Sequence, residues 1–323
     1  MTSVKCLFSV SASISNLSAT LKIVQSFWSA PTLAKSGSKK SEEIVEILER
    51  KTGGWLDKKY NYISWALSCL TFRKHYSEVE LITDNRGKQL LIDRLGLPYT
   101  NVIVSLDKLN HQHLGLWATA KLHAYKVQKK PFIHADSDIF IWERFSDEIE
   151  TASLVSQNQE VNFEGYNIIW KQVLNHCKYI PSYLVQDYSK DNIVRACNAG
   201  IFGGSDIDFL HAFVNEAQLF ISNNESVFSK IDVGHFGLIY EQYLFSCFAR
   251  ANNKSVTYLL EGVNESYSKL VNFKDIEIGN RYIHTAGNLK SQSDIYLNME
   301  SRLLLEYPAY YYKIVSLLKS HEI

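Results

Sequence analysis

The chain alternates short apolar runs with amphipathic stretches. The first clear run, LKIVQSFW at 21–28, reads as a strand closed by Ala30 and Pro31. Beyond the polar stretch KSGSKKSEE, the residues Ile44, Val45, Ile47 and Leu48 mark a short helical pattern that Gly53 and Gly54 end. Over 60–76, Ile63, Ala66, Leu67 and Leu70 recur at helical spacing and predict an amphipathic helix. A strand follows at 79–84 (VELITD), then a helix over 88–95 stopped by Gly96, a strand at 101–105 and a helix over 116–128. PFIHADSDIFIW at 131–142 reads as one buried strand with polar residues toward its end. After Thr151 the pattern loosens into a Tyr-, Asn- and Trp-rich region up to Arg195. Order returns with CNAGIFGG at 197–204, helices over 208–220 and 237–251, a strand running into a loop at 282–290, and a helical, aromatic tail at 297–318.

Strand, helix, strand in this order predicts an α/β fold: one Rossmann-like domain with a mainly parallel central sheet flanked by helices. The expected layout is an N-terminal extension over 1–20, a catalytic domain over 21–295 and a C-terminal helical tail over 296–323. In such sheets ligands gather beyond the carboxyl ends of the strands, which is where HADSD falls.

Composition narrows the partners. Lys plus Arg equals Asp plus Glu at 34 each, with no long basic run, so nothing marks a nucleic-acid or acidic-lipid surface. The five cysteines, Cys6, Cys69, Cys177, Cys197 and Cys247, are widely spaced and form no CxxC pair, as reduced thiols of a cytoplasmic protein would be. No apolar run is long enough to span a bilayer. Residues 1–20 carry a semi-apolar patch that Ser interrupts too often for a signal peptide, and read as a disordered extension. In the tail, Tyr307, Tyr310, Tyr311 and Tyr312 with Leu303, Leu304, Ile314 and Leu317 are expected to pack on the domain, which leaves room only for weak peripheral membrane contact.

Asp136 and Asp138, one residue apart at the end of an apolar run, can offer hard oxygens to a divalent cation. An Asp-x-Asp alone arises about once by chance in such a chain. Asp206 and Asp208 supply the contrast: they follow Gly203 and Gly204 and open a helix, where Asp serves as an N-cap. His284, followed by Gly287 and Lys290, could complete a mixed oxygen and nitrogen shell, with the glycine allowing close backbone approach to a phosphate and the lysine pairing with it.

DSDIFI resembles the Asp-x-Asp motif of GT-A fold glycosyltransferases, and HTAGNLK is similar to the His-x-x-Gly-x-x-Lys of the glycogenin-like and bacterial lipopolysaccharide galactosyltransferase family. AKLHAY at 120–125 resembles that family's Thr-Lys-Leu-His segment, CNAGIFGG its Asn-Ser/Ala-Gly-Val stretch, and EQYLF at 241–245 its Asp-Gln-x-x-Leu/Phe helix start. All five segments fall in the family's order, as in a divergent member with Glu at 241 and Ser291 after Lys290. The resemblance implies that Asp136, Asp138 and His284 bind Mn²⁺ (or Mg²⁺), and that Lys121, Asp136, Gly287 and Lys290 serve the diphosphate side of a UDP-sugar donor. It further implies that Asn198 and Gly200 border the sugar and acceptor, and that Glu241 and Gln242 lie by the anomeric carbon.

The leading expectation is therefore a metal-dependent hexosyltransferase that retains configuration, acting on a glycan, lipid or peptide acceptor. The alternatives are an inverting enzyme with Glu241 as base, a catalytically silent sugar-nucleotide or glycan-binding protein, and a nucleotidyl or phosphoryl transferase. The last is disfavoured by the lack of a Walker-type phosphate loop.

Overall fold

The computed structural model describes residues 21–33, 52–262, 269–279 and 281–323. The expected extension over 1–20 and the helical pattern at Ile44 to Leu48 lie outside the described residues.

Strand β1 (Lys22–Phe27) leads through helix α1 (Lys58–His75) to β2 (Val79–Thr83) and β3 (Asn101–Val104). Helix α2 (Thr119–Lys126) then returns the chain to β4 (Phe132–Ala135), which is followed after a turn by β5 (Ile139–Ile141). Next come β6 (Val155–Ser156), β7 (Gln159–Val161), helix α3 (Glu164–His176), β8 (Arg195–Cys197), β9 (Ile201–Gly204) and helix α4 (Ile207–Ser222). A composite helix α5 runs through Val233–Gly237, a π-helical stretch Leu238–Tyr243 and Leu244–Ala251. β10 (Thr257–Tyr258), β11 (Tyr282–His284), α6 (Ser293–Glu306) and α7 (Pro308–Lys319) complete the order.

Among the described residues the central sheet has seven strands, in the order β10-β6-β9-β4-β1-β2-β3. It is mostly parallel; β9 alone runs antiparallel to its neighbours β4 and β6. Helices cover both faces, which is why β2 (VELIT) and β4 (FIHA) are buried along their whole length instead of alternating. Val24, Ile82, Phe132 and Phe202 point to the side packed by α2, α3, α4 and α5. Leu81 points to the opposite side, against Ile63, Ala66 and Leu67 of α1 and Met299, Leu303 and Ile314 of the tail helices. Gly203 and Gly204 let β9 fit between its neighbours: a Cβ on either would stand 2.1 Å from a carbonyl oxygen, of Phe132 and of Ser153 respectively.

The tail therefore packs on α1, with Tyr307, Tyr310, Tyr311 and Leu317 beside that core and Tyr312 exposed. No helix among the described residues is long and apolar enough to cross a membrane. Cys69, Cys177, Cys197 and Cys247 are free thiols.

One expectation needs correction. The run 131–142 is not a single strand: β4 ends at Ala135, Asp136 to Asp138 turn the chain, and β5 joins β11 in a separate antiparallel ladder. FIHA and IFI are both buried, so hydrophobicity stays continuous across a break that the three polar residues between them make.

Candidate functional site: a carboxylate and histidine cluster

The chain leaves β1 toward β2 on one side and leaves β4 toward β6 and β9 on the other, which opens a crevice at the carboxyl ends of β1 and β4. The turn carrying Asp136 and Asp138 stands there. Ile139 N donates to Asp136 O (3.2 Å), Asp136 N to Gly200 O (2.9 Å) and Ser64 Oγ of α1 to Ser137 O (2.8 Å), which ties the turn to itself, to β9 and to α1.

His284 arrives from a point far along the chain through the β5–β11 ladder. Its register sets His284 opposite Ile139, and Thr285 N donates to Asp138 O at 3.0 Å. Asp136, Asp138 and His284 each offer one ligand atom, and these atoms lie within 4.8 Å of one another. Two carboxylate oxygens and an imidazole nitrogen form a set suited to Mn²⁺ and usable by Mg²⁺. The chemistry of this set fits a cation in a second respect. Asp138 Oδ1 is buried and has no hydrogen-bond partner among the described residues; it faces His284 Nε2 at 3.5 Å. A buried carboxylate oxygen without a partner is costly unless a cation serves it.

Two lysines flank the cluster. Lys290 Nζ lies 2.8 Å from Asp138 Oδ2 and donates to Gly53 O at 3.0 Å. Lys121 Nζ, reaching in from α2, lies 3.1 Å from Asp136 Oδ1 and 3.2 Å from Glu241 Oε1, and donates to Ala199 O at 3.0 Å. Burial would raise the pKa of Asp138, but the Lys290 ammonium, joined by the His284 ring when that is protonated, outweighs it and holds the carboxyl well below its usual range. For Asp136 burial prevails: Lys121 opposes it, Asp138 adds to it, and the pKa is raised. Burial likewise raises Glu241, with Lys121 opposing. Lys121 is raised despite its burial, because Asp136 and Glu241 favour its charged form.

Glu241 sits inside α5 and not at a helix start, and it is 0% exposed. Its Oε1 accepts from the Tyr125 hydroxyl at 2.7 Å, and among the described residues Lys121 is the group that bonds it to the cluster. Asn198 and Gln242 belong to a second polar network. Asn198 Nδ2 donates to Glu160 Oε1 (2.9 Å), and the Tyr166 hydroxyl bridges Glu160 Oε2 and Gln242 Oε1. Gly200 has a packing reason to lack a side chain: a Cβ there would stand 2.5 Å from Gln157 Oε1 and 2.6 Å from His284 Cε1. Gly287 adopts φ +55° with open space where a Cβ would project. Glu160 and Gln157 escape sequence reading, because they lie on or beside strands of two or three residues, too short to leave a period, and Tyr166 is a buried position of α3 whose hydroxyl finds its partners only in the fold.

Asp206 behaves as the sequence predicts. Its carboxylate caps α4, accepting from Phe209 N at 3.2 Å, and pairs with Lys254 at 2.7 Å. A cavity of about 360 Å³ opens at the end of β1, lined in part by Phe27, Ser29, Tyr62, Arg86 and Arg94. Tyr62 is two residues from Ser64, the residue that holds the aspartate turn.

No curated protein matches the chain. The family model that does match, over residues 21–317, is described as a family of unknown function, DUF6734, and the chain belongs to that family.

Proposed function

We propose that this chain is a metal-dependent glycosyltransferase of GT-A architecture, moving a hexose from a nucleotide sugar, a UDP-sugar, to an acceptor with retention of configuration. The observation that carries the reading is the convergence of Asp136, Asp138 and His284, with an unpartnered Asp138 oxygen, at the switch point of a mostly parallel sheet. The antiparallel β9 beside β4 supports the GT-A assignment. A divalent ion held by these three residues would stabilise the charge that grows on a departing diphosphate.

The chain's own residues supply the rest. Lys121 and Lys290 bring positive charge to either side of the carboxylates. The cavity at the end of β1 pairs aromatic rings of Phe27 and Tyr62 with the guanidinium groups of Arg86 and Arg94, a lining suited to a nucleotide. The cavity borders α1, the helix whose Ser64 holds the aspartate turn.

Retention rests on which carboxylates remain for a base. Asp136 and Asp138 would be committed to the cation, Glu241 is sealed beneath Lys121 and Tyr125, and Glu160 is bonded to Asn198 and Tyr166. That arrangement disfavours an inverting mechanism through Glu241. The test is a panel of UDP- and GDP-sugars incubated with Mn²⁺, followed by proton NMR of the product. The reading expects Mn²⁺-dependent UDP release and an α linkage from an α donor. A β linkage would refute retention, and no release from any donor would refute the transferase.

A further inference from the structure

His284 can ligate a cation through Nε2 only if its other ring nitrogen carries the proton, and the surrounding amides decide which nitrogen that is. The chain of hydrogen bonds starts from a backbone carbonyl, which can only accept. Asn158 Nδ2 donates to Gln159 O at 3.1 Å, and this turns Asn158 Oδ1 toward Gln157. Gln157 Nε2 donates to Asn158 Oδ1 at 3.0 Å, so Gln157 Oε1 points the other way. Two groups converge on that oxygen: the Tyr282 hydroxyl at 2.7 Å and His284 Nδ1 at 2.5 Å. An amide oxygen only accepts, so Nδ1 carries a hydrogen, and in the neutral ring the Nε2 lone pair is left facing Asp138 Oδ1.

We infer that Gln157 is the positioning residue of the metal centre: it holds His284 as the Nδ1–H tautomer, with Nε2 prepared for a divalent cation before the cation arrives. This rests on the metal site proposed above and adds a residue that touches neither cation nor substrate. Gln157 and His284 are both buried, so water cannot readily replace the amide as acceptor. Gly200 completes the arrangement by leaving room for the contact. Partners of this kind set both the orientation and the basicity of a metal-binding imidazole. Tyr282 and His284 lie two apart on β11 and face the same side, so one oxygen fixes both side chains.

The test joins a tautomer measurement to a metal titration on the full chain. Long-range proton–nitrogen correlation NMR of histidine-labelled, metal-free protein, at a pH that leaves the ring neutral and with the His284 signal assigned by its loss in His284→Asn, should show Nδ1 protonated and Nε2 bare. Titration of Mn²⁺ followed by electron paramagnetic resonance should show Gln157→Leu binding about 10- to 100-fold more weakly than the natural chain. Gln157→Glu, which keeps an acceptor toward Nδ1, should recover most of that loss. A neutral, metal-free His284 ring protonated at Nε2 and not at Nδ1 would overturn the inference, as would a Gln157→Leu affinity within about two-fold of the natural value. If Gln157→Leu does not fold, the tautomer of the natural chain and the Gln157→Glu affinity still decide. Absence of Mn²⁺ binding by the natural chain would instead count against the proposed metal centre, and the tautomer would still judge Gln157.

Discussion

Replacing Lys121 by Met removes the only cation in contact with Glu241 among the described residues and one that also contacts Asp136. Glu241 is fully buried and its Oε2 has no hydrogen-bond partner among the described residues, so without the ammonium it would be an uncompensated charge. Breaking such a pair costs about 3–5 kcal/mol. The carboxyl can escape by staying protonated, and this sets a ceiling. At pH 7 the cost of holding it neutral, against an unfolded value of 4.5, is at most about 3.4 kcal/mol, from 1.36 kcal/mol per unit over the difference. The direction follows from linkage. A carboxyl whose folded pKa is raised binds more protons folded than unfolded, so the variant loses stability as pH climbs above 4.5. At pH 5 the same ceiling falls to about 0.7 kcal/mol. Urea unfolding of Lys121→Met should therefore show a loss of at most about 3 kcal/mol at pH 7 that shrinks to at most about 0.7 kcal/mol at pH 5. Adding Glu241→Gln, which keeps an oxygen for Tyr125, should restore a large part of the loss at pH 7. A pH-independent loss, or single-variant effects that add to within about 0.5 kcal/mol, would refute the account of this pair.

The other expectations concern the cluster and its control. Gly200→Ala drives a methyl into Gln157 and His284 and should cost about 1–3 kcal/mol by thermal or urea unfolding while weakening Mn²⁺ binding; unchanged metal affinity would contradict the packing role of that glycine. Asp206→Ala removes the cap of α4 and should cost about 1 kcal/mol while leaving Mn²⁺ affinity untouched, a result that a metal role for the second aspartate pair would reverse.

What the sequence makes legible follows from where a residue's neighbours lie along the chain. The parallel strands β1 to β4 and helices α1 and α2 have periods or buried runs of sufficient length, and they fall close to the stretches expected for them. Asp136, Asp138 and His284 are nameable because their chemical types and spacings are unusual, and the β5–β11 ladder then brings the third to the first two. The break between β4 and β5 is hidden, because buried residues continue on both sides of it. Gln157 and Glu160 are hidden for another reason: each gains its meaning from partners 127 and 38 residues away, His284 and Asn198, and no local pattern records such contacts. Glu241 is legible as a candidate but not as a sealed one, since its burial comes from Tyr125 and Lys121 on α2.

The central claim is that Asp136, Asp138 and His284 hold a cation that a nucleotide diphosphate needs in order to bind. Calorimetric titration of UDP into the protein with and without Mn²⁺, repeated on Asp138→Ala, tests it most directly. The account predicts tight binding only with Mn²⁺ in the natural chain and none in a folded Asp138→Ala variant. UDP binding that is equal with and without Mn²⁺, or undiminished in Asp138→Ala, would contradict it.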